Sequence, residues 1–347
     1  MRCLTLADAL LARGALCTFI FRAHNGHLLN LIKLRGHQAI ALPCVSPISG
    51  LLQDEPVHAA WLGTDWITDA QETREVIGTS QVHWLVVDHY ALDWRWEQSL
   101  KTRCLNLMVI DDLADRAHDC DLLLDPNLGR TPQDYLHLLK PDTTKLIGPQ
   151  YALLRPEFAQ WHSQSMARRT QLTIEHLLIT LGGVDKDNAT CQVLQALKTC
   201  NLPIDLRITV VMGSNAPSLE EVNTQASQMQ WPTNVLVGVA DMAQLMAESD
   251  LCIGAAGGTS WERCYLGLPT MLLVLADNQL PGAKALEKTG AVVALKRAQD
   301  IPQVFENYFA HETAVQLKRM SEAAAVLSDG LGVQRIVDSM RSEEHHA

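Results

Sequence analysis

The stretch that decides the fold runs from Leu251 to Gln279 and reads LCIGAAGGTSWERCYLGLPTMLLVLADNQ. It opens with an apolar run of strand length, followed by the small residues AAGG. Thr259 and Ser260 commonly precede helices, and the segment after them predicts a helix that ends at Gly267. A second apolar run and a polar loop complete the stretch. The pattern therefore predicts a β-α-β unit with a glycine-rich turn.

The glycine-rich turn admits two interpretations. Glycines let a backbone approach a ligand closely, and the first N–H groups of a helix attract an anion such as a diphosphate. Alternatively, the small residues only allow the helix to pack on the sheet. The spacing alone favours neither interpretation.

Length and composition indicate an α/β protein with two domains. The 347 residues can bury two cores, and 47% hydrophobic with 19% charged residues is typical of a globular chain. The net charge of -11 argues against nucleic acid as a partner, because nucleic-acid binding requires neutralisation of phosphates.

Other sequence features narrow the class of protein. Nine cysteines without a CxxC pair predict free thiols in a cytoplasmic protein. No apolar run reaches the length of a membrane span and no signal peptide is recognisable, so we expect no membrane partner. The thirteen histidines lack metal-ligand spacing, so we predict no metal. We expect a monomer, because no apolar surface helix remains once two sheets are covered.

Strand and helix patterns alternate along the chain and restart after the segment 148–156. We therefore expect one Rossmann-like domain over residues 1–150 and a second over 151–347, the latter closed by C-terminal helices. Their strand ends are expected to face a common cleft, where ligands of such folds bind.

Polar residues follow several predicted strands. Tyr90 ends the sequence Asp88-His89-Tyr90, and this cluster of polar side chains favours a functional role. Asp111 and Asp125 also follow strands, but for these we favour the interpretation that they only cap the next turn.

A second glycine-containing turn between a predicted strand and a predicted helix lies at Gly182 and Gly183. It has the same form as the AAGG turn described above.

Seven segments then point to a known family. In order they are MRCLTLADAL, VVDHYALD, DDLADRAHDCDLLLDPN, YALLRPEF, LGGVDKDN, AAGGTSWERCYLGLP and VLADNQ. Together they resemble the UDP-diacetamido-trideoxy-altropyranose hydrolases of pseudaminic acid biosynthesis over nearly the whole chain. That family is similar to glycosyltransferases of the two-domain GT-B fold, especially the lipid II N-acetylglucosaminyltransferase.

The resemblance implies a reaction. It is hydrolysis of the bond between the anomeric carbon of the sugar and UDP, with water as acceptor and inversion at that carbon. The implied partner is a small UDP-sugar substrate, and neither a metal nor another cofactor is implied.

The resemblance also assigns roles to residues. Ser260 would hold the diphosphate, Gly182 and Gly183 would approach the phosphates, and Glu262 would bind the ribose hydroxyls. The backbone around Val239 and Met242 would border the uracil. Without the resemblance, Glu262 would be interpreted as a solvated helix carboxylate.

Two residues are assigned as catalytic residues on the sugar side of the site. Asn278 would contact the sugar, and Tyr90 would lie near the sugar and the attacking water. The alternative for Asp277 and Asn278 is a plain turn, which we retain for Asp277.

The start of the chain departs from the family pattern. The family has a strand and a Gly-x-Gly-His loop, whose His is catalytic, directly before the segment that here begins at Met1. A first domain without this central strand should contain a gap with unpaired backbone groups. We expect that the true protein is longer and that the 347-residue form folds poorly and has little hydrolase activity. His89 belongs to the usual family motif and is not expected to replace the catalytic His.

Two further functions stay open. A GT-B glycosyltransferase would use the same UDP-sugar but transfer the sugar to an acceptor. A truncated, inactive remnant would bind the nucleotide sugar without turnover. UDP release with and without an acceptor distinguishes the three.

Overall fold

The computed structural model describes residues 1–44, 55–309 and 312–343. The described chain divides into two compact units, one formed by Met1–Leu153 with the segment from Leu331 onward, the other by Leu154–Gly330. Residues 344–347, which the sequence analysis assigned to the second domain, lie outside the described residues. Within the described ranges, no helix is long and apolar enough to cross a membrane.

The first unit begins with a helix and contains only parallel strand pairs among its described residues. Its strands are β1 (Thr18–Arg22), β2 (Gln38–Leu42), β3 (Val82–Val87), β4 (Cys104–Ile110), β5 (Leu122–Asp125) and β6 (Thr144–Ile147). Its helices before the second unit are α1 (Arg2–Leu11), α2 (Leu29–Leu34), α3 (Trp66–Ile77) and α4 (Trp94–Leu100).

The strands of the first unit fall into two sheets. β1 pairs with β2, whereas the second sheet has the order β3-β4-β5-β6. In the described part of the chain, β1 and β3 are therefore hydrogen-bonded to a neighbour on one side only. The sequence analysis expected a first domain without its first strand, and the separation of β1 from β3 agrees with that expectation.

The core of the first unit is built on both faces of β4. Leu107 and Val109 pack into one cluster, and Met108 and Ile110 pack into another with Leu6 of α1. This alternation follows from the two-residue period of a strand, and it explains why β4 reads as a continuous apolar run.

The second unit contains one sheet of six parallel strands among its described residues. The strands are β7 (His176–Thr180), β8 (Arg207–Met212), β9 (Thr233–Val237), β10 (Leu251–Ala255), β11 (Thr270–Leu273) and β12 (Val292–Leu295). The helices are α5 (Pro156–Arg168), α6 (Ala189–Leu197), α7 (Leu219–Ser227), α8 (Met242–Ala247), α9 (Thr259–Tyr265), α10 (Leu280–Lys288), α11 (Ile301–Val304) and α12 (Thr313–Ala325). A π-helical turn, Phe305–Phe309, follows α11.

The strand order of this sheet creates a switch point. The order is β12-β11-β10-β7-β8-β9, so the chain runs outward from β7 to β9 and then returns to the other side of β7 as β10. Gly254 of β10 lies opposite Thr180 of β7 in the parallel register. Because the connections after β7 and β10 leave in opposite directions, a crevice forms at the carboxyl ends of these two strands.

The last helix, α13 (Gly332–Glu343), corrects the expected domain limits. The sequence analysis placed it in the second domain, but it belongs to the first unit. Ile336, Val337 and Met340 pack with Leu6 of α1. The physical reason is that the apolar face of α13 completes the cluster on one side of the β4 sheet.

Candidate functional site

The predicted residues of the second unit all lie at one edge of its sheet. They follow the carboxyl ends of β7, β9, β10 and β11, because all six strands are parallel. The residues are Gly182, Gly183, Val239, Met242, Ser260, Glu262 and Asn278. The turns after β7 and β10 flank the switch point directly.

The turn after β7 is shaped by glycines. Gly182 has φ +101, a conformation that favours glycine, and Gly182 and Gly183 are both exposed. The carbonyl of Gly183 accepts a hydrogen bond of 3.0 Å from the N–H of Gly213, where any Cβ would collide with that carbonyl. The carboxylate of Asp185 caps the first two residues of α6 at 2.8 and 2.9 Å.

The turn after β10 differs because no side chain caps its helix. Gly257 has φ +143, and Gly258 occupies the cap position of α9 without a side-chain hydrogen bond. The sequence analysis expected Thr259 and Ser260 before the helix, but they are its first two residues. Thr259 is exposed, whereas Ser260 is only 3% exposed.

Arg263 lies beneath this turn and was not predicted as a site residue. Its Nη2 donates to the carbonyl of Ala255 at 2.8 Å and to Oγ of Ser260 at 3.1 Å. Its Nη1 lies 3.2 Å from Oγ1 of Thr259. Arg263 occurs in the quoted WERC segment, but no periodicity in the sequence indicates that its side chain turns inward.

Glu262 is held in an ion pair. Its Oε1 lies 3.4 Å from Nη2 of Arg155, whose Nη1 lies 2.9 Å from Oε1 of Glu157. Burial raises the pKa of Glu262, against the opposing effect of Arg155. Glu262 is therefore not the solvated helix carboxylate that the residue type alone suggests. Arg155 was not predicted as a site residue, although it lies in the quoted YALLRPEF segment.

The remaining predicted residues of this edge lie in turns or at the start of a helix. Val239 is half-buried between β9 and α8, and Met242, also half-buried, is the first residue of α8. Asn278 is exposed in the 3₁₀ turn Asp277–Gln279, and its side chain forms no hydrogen bond with the described residues. Its amide is thus available to a ligand.

In the first unit, Arg2 connects the ends of two strands. Its Nη2 lies 2.6 Å from Oδ1 of Asp88, and its Nη1 lies 3.0 Å from Oδ2 of Asp112. Burial alone would raise the pKa of Asp88, but the guanidinium outweighs burial and lowers it. Arg2 therefore ties the start of α1 to the carboxyl ends of β3 and β4.

Tyr90 lies just beyond β3 among other rings. Its ring centroid is 5.7 Å from that of His58 and 6.0 Å from that of Trp61, which is 55% exposed. Burial, with a further effect of the Asp112 carboxylate, raises the pKa of Tyr90. Tyr90 is therefore a neutral phenol near neutral pH and can donate a hydrogen bond.

His89 has a structural partner. Its Nδ1 accepts a hydrogen bond of 3.1 Å from the N–H of Ala91, and burial lowers the pKa of His89. The neutral ring then carries its proton on Nε2, so no free lone pair remains for a general base. This geometry supports the expectation that His89 does not replace the catalytic His of the family.

Asp111 and Asp125 cap turns, as favoured from the sequence. Oδ2 of Asp111 accepts from the N–H of Ala114 at 3.0 Å, and Oδ1 of Asp125 accepts from the N–H of Asn127 at 2.8 Å. Tyr135 donates its hydroxyl to Asp125 at 3.0 Å. Burial raises the pKa of Asp125 to about 7.

No group of three or more His, Cys, Asp or Glu side chains among the described residues could hold a metal ion.

One protein-family model matches most of the second unit of the chain. The glycosyltransferase family 28 C-terminal domain matches residues 176–336, which include all six strands of the second unit's sheet. The chain is also 25% identical to the UDP-2,4-diacetamido-2,4,6-trideoxy-beta-L-altropyranose hydrolase of Campylobacter jejuni over 274 residues. That match covers 78% of this chain and 94% of the hydrolase.

A second relative matches over a shorter stretch. The Methanocaldococcus jannaschii protein MJ1062 is 25% identical over 200 residues, or 56% of this chain. The matched part spans only 40% of that relative's length. Among solved structures, Acinetobacter baumannii MurG superimposes with a TM-score of 0.67 at 16% identity, over 98% of this chain and 95% of MurG.

The comparisons support an enzyme related to glycosyltransferase family 28 and to nucleotide-sugar chemistry. They also confirm the family resemblance and the two-domain α/β fold expected from the sequence. The chain is thus a GT-B-type protein whose residues 176–336 match the glycosyltransferase family 28 C-terminal domain, and it is related to the UDP-2,4-diacetamido-2,4,6-trideoxy-beta-L-altropyranose hydrolase.

Proposed function

We propose that this protein hydrolyses a UDP-linked diacetamido-trideoxy sugar, releasing UDP by attack of water at the anomeric carbon. The observation that carries the proposal is the switch point between β7 and β10, where two glycine turns meet at the carboxyl edge of a parallel sheet. Such an edge is where α/β sheets bind ligands. The hydrolase relative, matched over 94% of its length, supplies the substrate class.

In this proposal the second unit binds the leaving group. Gly182 and Gly183 let the backbone approach the phosphates, and Ser260 lies at the other turn. Glu262 accepts hydrogen bonds from the ribose hydroxyls, for which a carboxylate offers two oxygen atoms. The backbone at Val239 and Met242 borders the uracil.

The sugar is oriented by an amide and a phenol. The exposed amide of Asn278 can both donate to and accept from an acetamido group. Tyr90, kept neutral by its raised pKa, donates a hydrogen bond to the sugar or to the water.

The reaction itself breaks one bond and forms one. The water oxygen bonds to the anomeric carbon, and the bond between that carbon and the β-phosphate oxygen breaks. The bonding electron pair goes to the phosphate oxygen, and the proton of the water passes to a base or to solvent. Binding that stabilises the charge developing on the diphosphate accelerates this step.

A glycosyltransferase is the second candidate. It is favoured by the family 28 domain model and by the fold shared with MurG. The two activities would use the same UDP-sugar site and differ in whether water or an acceptor hydroxyl attacks.

The experiment is phosphorus NMR of the UDP-sugar incubated with the 347-residue protein and, because that form is expected to have little hydrolase activity, with a version extended upstream of Met1. UDP that appears without any acceptor supports hydrolysis, and UDP that appears only after an acceptor sugar is added supports transfer. Binding without UDP release by either form would contradict both and leave a nucleotide-sugar-binding protein.

A matched control excludes a contaminating enzyme that cleaves UDP-sugars. Glu262→Gln changes the proposed ribose contact, whereas Glu157→Gln changes the other carboxylate paired with Arg155. Release that falls in the first variant and persists in the second originates from this site.

A further inference from the structure

Arg263 is a buried cation without an ion pair. It is 1% exposed, and among the described residues no carboxylate pairs with it. Its Nε also has no hydrogen-bond partner among the described residues. Two other buried arginines have a carboxylate partner, since Arg22 pairs with Asp69 and Arg116 pairs with Asp111. Arg169 also has no ion pair among the described residues, and it donates instead to several backbone carbonyls.

The burial of this charge is unfavourable unless something compensates it. A buried ion without a countercharge loses its hydration, and neutral dipoles replace only part of that hydration. Arg263 has one carbonyl and two hydroxyl oxygens as its partners. The nearest countercharge is Glu262, which Arg263 affects only through space and which is itself in contact with Arg155. An anion bound at the adjacent turn would add a countercharge close to the guanidinium.

Arg263 also fixes the direction of two hydroxyl groups. A guanidinium only donates hydrogen bonds, so Oγ1 of Thr259 and Oγ of Ser260 act as acceptors toward it. Each hydroxyl must then direct its own proton elsewhere, and neither donates to a described residue. Thr259 is exposed at the turn, so its proton can point toward a ligand.

The strand beneath the turn is adapted to this arginine. A Cβ on Gly254 would lie 2.5 Å from Nη1 of Arg263, so a larger residue would displace the guanidinium. Glycine inside a strand weakens it and commonly marks a close approach. At Gly254 that approach is made by Arg263.

We propose that Arg263 is a positioning residue for the diphosphate of the nucleotide sugar. Its buried charge is the countercharge of the diphosphate, and its donated hydrogen bonds direct the hydroxyl protons of Thr259 and Ser260 toward the phosphate oxygens. The inference rests on the proposed function, because the anion is the leaving group of that site.

The test compares UDP with uridine, which lacks the phosphates. In Arg263→Met the Kd for UDP, measured by isothermal titration, is expected to rise about tenfold or more, because charge-assisted hydrogen bonds are lost. The Kd for uridine, measured by proton NMR titration, should stay close to that of the wild type. Arg263→Lys keeps the positive charge but lacks the planar guanidinium with its several N–H donors, so it should recover part of the lost affinity.

The matched control is Arg169→Met. Arg169 is also buried in the second unit and also has no ion pair among the described residues, but its acceptors do not lie at the turn after β10. They include Oγ of Ser165 in α5 and the carbonyl of Met246 in α8, both at 3.0 Å. Its loss should lower the Tm without a selective loss of UDP binding. Parallel losses of UDP and uridine binding in Arg263→Met would show a merely structural role and overturn the inference.

A second variant covers the case in which Arg263→Met does not fold. Gly254→Ala displaces the guanidinium from within the strand and should weaken UDP binding selectively. Unchanged UDP binding in a folded Gly254→Ala or Arg263→Met protein overturns the inference about Arg263. The proposed function is then unaffected. If the wild type binds no UDP, the proposed function fails and the inference fails with it.

Discussion

Nη2 of Arg155 lies 3.4 Å from Oε1 of Glu262, and this contact joins the start of α5 to α9. The guanidinium of Arg155 also lies 5.1 Å above the ring of Phe158, which fixes its direction. Glu262 is therefore held in place before any ligand binds, with Oε2 unpaired among the described residues. A carboxylate fixed in this way can accept hydrogen bonds at low cost in side-chain entropy.

Glu262→Gln should weaken UDP binding about tenfold, because an amide oxygen accepts more weakly than a carboxylate. The proposed partner is the ribose, so binding of 2′-deoxy-UDP should change less than that of UDP. Isothermal titration of both ligands measures the difference. Glu157→Gln is the control. Equal losses for the two nucleotides would contradict the ribose contact.

Tyr90→Phe removes a neutral hydroxyl that we expect to orient the sugar or the water. UDP release should slow by about tenfold to a hundredfold with little change in KM, because misoriented reactants lose rate. The rate is measured by phosphorus NMR. Tyr308→Phe, at an exposed position in the second unit, is the control. An unchanged rate in Tyr90→Phe would remove this residue from the mechanism.

The raised pKa of Asp125 predicts that the stability of the protein depends on pH. Its pKa is raised from 3.8 to about 7 in the folded state, so the folded protein binds a proton that the unfolded chain has released. Stability from this group is present below about pH 4 and is lost as pH rises through about 7. Asp125→Asn should therefore reduce the difference in unfolding free energy between pH 5 and pH 8.

Urea unfolding at the two pH values provides the measurement. Asp134→Asn is the control, because hydrogen bonds from Thr131 lower the pKa of Asp134 and place its titration below this window. A pH dependence identical in wild type and Asp125→Asn would show that Asp125 does not titrate between those values.

The edges of the first unit predict unequal amide exchange. Among the described residues, β3 is hydrogen-bonded to β4 alone, whereas β4 lies between β3 and β5. Deuterium exchange should therefore be faster in β1 and β3 than in β4, because unpaired amides are not protected. Equal protection of β3 and β4 would indicate that the open edge of β3 is covered.

Much of the second unit could be predicted from the sequence because its strands are continuous apolar runs punctuated by glycine. β10, β11 and the turn between Ala255 and Thr259 follow from such local signals.

Two elements were not predicted from the sequence, β6 of the first unit and α10 of the second. β6 has the sequence TKLI, which lacks the continuous apolar run of the other strands, and the sequence before α10 has the composition of a polar loop.

The site was less predictable because its contacts are distant in sequence. Glu262 and Arg155 are separated by 107 residues, and neither periodicity nor composition pairs them. The inward direction of Arg263 depends on the absence of a side chain at Gly254, nine positions earlier on a different element. The placement of α13 failed for the same reason, since its partner Leu6 lies at the other end of the chain.

The central claim is that UDP binds at the switch point between β7 and β10. Titration of the isotope-labelled protein with UDP, followed by amide NMR, tests it most directly. The account predicts that the largest shifts occur at Gly182, Gly183, Gly257 and Gly258 and that they saturate together. Saturable shifts confined to another part of the chain, or none at all, would contradict it.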